Sequence, residues 1–232
     1  MIKAFAHIET ELGKVFAQHF TAINSDVESE KVNNLWQDIA IRYNEAQRAY
    51  HSLQHIEQLF AQFKQIKHVL NEPHIIALAL FYHDVIYAPT RSDNELKSAE
   101  YAVEALRTYF SAAQCQHIYA LIIMTANHRL AECSSAQKNF DAAYLLDMDL
   151  SILGASWTDY EQYAQAVRQE YAQAVRQEYA HVSNPDYRDG RIAVLTELLA
   201  HPKLYLTDYY YDRLEKQARQ NIKREIKILH AS

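Results

Sequence analysis

Along most of this 232-residue chain, apolar positions recur at spacings of three and four. That is the period of an amphipathic helix and not the alternation of a strand. On it the sequence predicts helices near 3–22, 28–43, 52–69, 74–87, 93–112, 114–127, 158–181, 185–200 and 206–229, with no convincing strand. Pro73, Pro89, Pro185 and Pro202 fall where the period breaks, as expected of a residue without an N–H to give a helix. The glycines are Gly13, Gly154 and Gly190, and no Ser/Gly-rich linker divides the helices. The expectation is a single all-α domain over 1–232, built as a helical bundle.

Two segments depart from the amphipathic pattern. Ile75-Ile76-Ala77-Leu78-Ala79-Leu80-Phe81-Tyr82 is apolar on every side, which marks a helix at the centre of its fold. His83 and Asp84 follow it directly, and a chargeable pair at the end of a buried helix is costly unless a partner such as a metal ion satisfies it. Farther on, Tyr163 to Glu170 recurs unchanged as Tyr171 to Glu178, and Tyr179-Ala180 begins a third copy. Eight residues lengthen a helix by about 12 Å and rotate its downstream part by roughly 80°. Tyr163, Val167, Tyr171, Val175 and Tyr179 form a stripe at spacing four, so the insertion can stay helical. Two copies make a tandem duplication, not a solenoid, and it lies beyond every candidate ligand.

Composition narrows the class. Hydrophobic residues at 49% and charged residues at 22% describe an ordinary globular protein. Lys+Arg at 23 against Asp+Glu at 29 gives −6, which disfavours a nucleic acid polymer as partner. Cys115 and Cys133 form no paired-thiol motif and fit a reducing compartment. Lys3, Glu9, Glu11 and Lys14 interrupt the N-terminal apolar positions, unlike a signal peptide. The run from Ile75 to Tyr82 is far short of the ~20 residues that span a bilayer. A cytoplasmic location without membrane association is expected.

Histidines and carboxylates carry the candidate chemistry. His51 and His55, four apart, share a face if both are helical; alone they are equally well two ordinary histidines. His83-Asp84 is a common dipeptide, and Asp147 and Asp149 read equally as helix caps. Order, spacing and the buried helix before His83 together point to a metal site. His128 follows the apolar run Ala120 to Met124, either stabilising that helix end or lying at the pocket to touch substrate phosphate or a second metal. His117 shares its helix face but lies about 16 Å away along the axis, so both cannot serve one cluster. Arg48, one turn before His51, with Asn94 and Lys97 at a helix start, are candidates to bind phosphate, against the plainer reading of Arg48 and Lys97 as solvated surface charges. Tyr43, Tyr82 and Tyr87 line either the site or the core.

The set resembles the HD-domain superfamily of metal-dependent phosphohydrolases, whose ligands are a His, an adjacent His-Asp and a later Asp. Tyr50-His51 with His55, and Asp149-Leu150-Ser151, are also similar to segments of the cyclic-nucleotide phosphodiesterases. A bacterial group of HD phosphohydrolases without an assigned substrate is closer still. The likeness to it runs through Arg42-Tyr43 with Glu45, Tyr50 to Ile56, His83 to Tyr87, Asp93-Asn94-Glu95, and Leu146 to Gly154. It covers roughly residues 35 to 220 and departs at the octapeptide, which that group has once.

The resemblance implies an HD-type helical domain with its metal-site core over about 35–155 and C-terminal helices over 158–230. It implies His55, His83, Asp84 and Asp149 as ligands of a divalent ion (Mn, Fe, Co, Ni, Zn or Mg), the Asp-Leu-Ser match favouring Asp149 over Asp147. It implies metal-activated water as nucleophile, Asp84 orienting that water or bridging a second ion, and His51 as general acid. The implied substrate is a small-molecule phosphate ester, nucleotide or nucleotide-like, monoester and diester both open. The alternatives are a non-catalytic, nucleotide-sensing metal module, a metal-free bundle, and a di-iron oxygenase, which His117 and His128 are too far apart to serve.

Overall fold

The computed structural model describes residues 2–131, 135–178 and 184–231. Among them the chain is all-helical: α1 (Ile2–Ile23), α2 (Ser29–Tyr43), α3 (Leu53–Ile66), α4 (Pro73–Tyr82), α5 (Asn94–Leu106), α6 (Ala112–Thr125), α7 (Ala136–Asp149), α8 (Trp157–Glu178), α9 (Asn184–Ala200) and α10 (Asp208–Ala231), with a 3-10 turn over Leu150–Gly154. No described helix is long and apolar enough to cross a membrane. The helices cluster into two compact units, 1–145 and 146–232.

In the first unit, α4 is the central element. Every residue from Ile75 to Tyr82 is buried, as the unbroken apolar run requires. α1, α3, α5 and α6 all pack on α4. Their inward faces carry Phe16 and Phe20 of α1, Leu59 and Phe63 of α3, Ala99 and Ala102 of α5, and Ile118, Leu121 and Ile122 of α6, the spacing that puts one helical stripe against a core. Phe81 anchors an aromatic cluster, with the rings of Phe16, Trp36 and Phe60 at 5.3, 5.7 and 4.4 Å. A Cβ on Gly13 would stand 2.6 Å from Trp36 Nε1, so only glycine lets α1 and α2 approach this closely. α5 and α6 are separated by a break at Arg107–Ser111. The hydroxyl of Ser111 accepts from Gln114 N, and Gln114 returns to the Ser111 N–H.

Two ends of α4 are built differently. Pro73 opens the helix, where its missing N–H is harmless. Asp141 of α7, 1% exposed, accepts from Asn71 N through Oδ1 and from Glu72 N through Oδ2, closing that end from another helix. At the other end the helix stops at Tyr82, earlier than the predicted 87. The Leu80 carbonyl, which the next turn would use, receives His83 Nδ1 at 2.8 Å, and Asp84 N turns to the Tyr43 hydroxyl at 3.2 Å.

The second unit is held by a buried polar network. Arg191 of α9 donates to both oxygens of Glu225 of α10 at 2.9 and 3.2 Å and to Tyr163 Oη of α8 at 3.3 Å. The Tyr160 hydroxyl also bonds Glu225. Trp157, at the start of α8, lies under the Arg224 guanidinium. α8 runs through both octapeptide copies as one helix, as predicted, and Tyr171 of the second copy packs on Tyr187 at 5.2 Å. Tyr179 and Cys133 lie outside the described residues.

α7 is the helix that the apolar pattern did not predict. Two of its buried positions, Asp141 and Asp147, are carboxylates and interrupt the stripe formed by Ala142, Leu145, Leu146 and Met148.

Candidate metal centre

His83, the residue capping α4, is 2% exposed. Since a carbonyl can only accept, the contact with Leu80 requires a proton on Nδ1 and leaves Nε2 as a lone pair when the ring is neutral. That Nε2 lies 3.0 Å from Asp84 Oδ2 and 3.3 Å from His55 Nε2, with His55 Nε2 and Asp84 Oδ2 3.9 Å apart. A lone pair facing a carboxylate oxygen at 3.0 Å repels it unless a proton or a cation stands between them. The three side chains form the group able to hold a metal ion, their ligand atoms all within 4.8 Å of one another. Two imidazoles and a carboxylate suit a divalent transition ion, and the Leu80 carbonyl behind His83 is the outer support such ligands usually have. The donor set fits a metal.

His55 occupies the first turn of α3 and is 3% exposed. His51 is not helical; it sits in the turn before α3, so the two do not share a helix face as the spacing suggested. The turn nonetheless brings their ring centroids within 6.0 Å. His51 is half-buried and stacks on Tyr87 at 4.0 Å.

The loop after α4 is pinned by side chains. Ser98 of α5 accepts from Ile86 N at 3.0 Å and donates to Ile86 O at 3.1 Å. Asn94 does the same for the Ala88 peptide, accepting from its N–H at 3.0 Å and donating to its carbonyl at 2.9 Å. Both amide ends of Asn94 are thereby engaged in the loop. Ser98 was missed; its signal was a polar residue four after Asn94, beside buried Ala99 and Ala102.

Arg48 is not a solvent-facing cation: its guanidinium is buried against main-chain carbonyls and Glu45. Lys97 is a surface group paired with Glu100 at 2.8 Å. His128 lies beyond the end of α6 in a left-handed turn, φ 52°, where the chain leaves the helix. His117 is buried and bound through Nδ1 to Glu72 at 3.1 Å. Tyr43 and Tyr82 are core residues, Tyr43 also receiving the Asp84 N–H.

In the second unit, Asp147 is fully committed. Oδ1 accepts from Leu206 N at 2.7 Å, and Oδ2 from Thr207 N and Oγ1 at 2.8 and 2.6 Å, capping the start of α10. Asp149 is the last residue of α7 and half-buried.

No protein-family model matches the chain, and no curated protein matches its sequence.

Proposed function

We propose that this protein is a metal-dependent hydrolase of small phosphate esters, with His55, His83 and Asp84 as metal ligands and His51 as general acid. The observation that carries the reading is the meeting of the His83 Nε2 lone pair with Asp84 Oδ2 at 3.0 Å and His55 Nε2 at 3.3 Å. A bound divalent ion would supply Lewis acidity and lower the pKa of a coordinated water. The protein holds His83 in one tautomer through Leu80 and places Asp84 through Tyr43. His51, stacked on Tyr87 beside the ligand group, is the histidine that gives a proton to the leaving oxygen. The HD-type resemblance supports the same roles and adds Asp149 as a ligand on sequence alone.

The test is metal content by elemental analysis, with turnover of p-nitrophenyl phosphate and its bis ester under Mn, Co, Ni, Mg and Zn. His55→Ala and Asp84→Ala lose the metal. His51→Ala keeps it and loses about 100-fold or more in turnover. Stoichiometric metal without turnover under any ion would instead identify a binding module, and a metal-free protein a structural bundle. The same assay on Asp149→Ala decides its assignment.

A further inference from the structure

A guanidinium is charged at every accessible pH, so burying one demands that its N–H groups be met. The Arg48 side chain is 1% exposed. Nη1 donates to the carbonyl of His51 at 3.1 Å and to that of Asp84 at 2.7 Å, and Nη2 to that of Val85 at 3.0 Å. Nε reaches Glu45 Oε2 at 3.2 Å, and the rings of Tyr43 and Tyr87 flank the group at 5.0 and 5.6 Å. A single nitrogen therefore holds the main chain of the turn bearing His51 and that of the His83-Asp84 segment at once. The Tyr43 hydroxyl takes the Asp84 N–H of the same segment at 3.2 Å.

We propose that Arg48 is a positioning residue of the metal centre: it fixes the His51 turn against the His83-Asp84 segment and so sets the spacing between acid and ligands. This rests on the metal-dependent reading above. Lysine cannot replace it, because one ammonium nitrogen does not span the three carbonyls that the planar fork reaches.

The experiment uses Co(II) as probe in the full-length wild type, Arg48→Lys and Tyr43→Phe. It reads Co(II) affinity by chelator competition, the visible ligand-field spectrum, helicity by circular dichroism, and kcat and KM on bis(p-nitrophenyl) phosphate. Arg48→Lys is expected to stay helical, bind Co(II) about 10- to 100-fold more weakly with an altered spectrum, and lose kcat with little change in KM. Tyr43→Phe moves the same way by a few-fold. A folded Arg48→Lys with wild-type affinity and spectrum overturns the proposal, as does a loss confined to KM, the sign of a phosphate contact. Should Arg48→Lys not fold, an unchanged Tyr43→Phe overturns it. Failure of the wild type to bind Co(II) is a distinct result, which removes the metal-centre reading and this proposal together.

Discussion

His19 of α1 is 5% exposed, packed edge-on against Phe63, with Nδ1 2.9 Å from Nδ1 of His74. Burial first, then the nearby His74 and Lys67, pull its pKa from 6.5 down to about 4. The folded ring stays neutral where the unfolded chain takes up a proton. Its stabilisation is therefore complete above 6.5 and is lost as pH falls through about 4. Between about pH 7.5 and 5 this removes about 2 kcal/mol. Urea denaturation at the two pH values measures it, and His19→Phe, filling the same space beside Phe60 and Phe63, is expected to flatten most of the difference. Equal slopes in the two proteins would show that His19 is not the group responsible. The same scale explains what the sequence hid at the site. A metal site was legible from the order of the histidines and carboxylates and from the apolar run before His83, and the resemblance picked out His55, His83 and Asp84 within it. The use of Arg48 was not, because its acceptors are carbonyls, which every residue carries and which no side-chain pattern marks.

At the scale of the element, legibility followed how each helix meets its neighbours. α4 was readable because every residue from Ile75 to Tyr82 is buried, so the run carries no polar face to interrupt it. α7 was not, because Asp141 and Asp147 face inward to close the starts of α4 and α10, and their backbone partners are remote in sequence. Asp141→Ala leaves Asn71 N and Glu72 N without their acceptor and is expected to cost about 2 kcal/mol or more in a urea melt. Near-wild-type stability would mean that the end of α4 closes without it. For α8, deleting Tyr171–Glu178 leaves Tyr160 and Tyr163 in place for Glu225 and Arg191 and makes Tyr179, the start of the third copy, follow Glu170 where Tyr171 stood. The shortened protein is expected to fold with lower helical ellipticity and unchanged metal content. Loss of metal on deletion would contradict the view that the repeat is remote from the chemistry.

Across the whole molecule, one buried group in each unit answers acid with the opposite sign. His19 makes the first unit less stable as pH falls. In the second, burial raises the Asp147 carboxyl from 3.8 to about 6 against the pull of its bonds from Thr207 and Leu206. A carboxyl with a raised folded pKa contributes stability that is full below 3.8 and is lost as pH climbs through about 6. Hydrogen exchange, corrected for intrinsic rates, is expected to show α1–α4 losing more protection than α8–α10 between about pH 6.5 and 4.5. A uniform loss would contradict this division. The chain also carries the means to watch each unit separately. Its two tryptophans are divided between the units, Trp36 sealed among Phe16 and Phe81 and Trp157 beneath the Arg224 guanidinium. Their emission is thus a native two-channel reporter: Trp36→Phe silences the first unit and leaves Trp157 to report the second, with no dye or label attached.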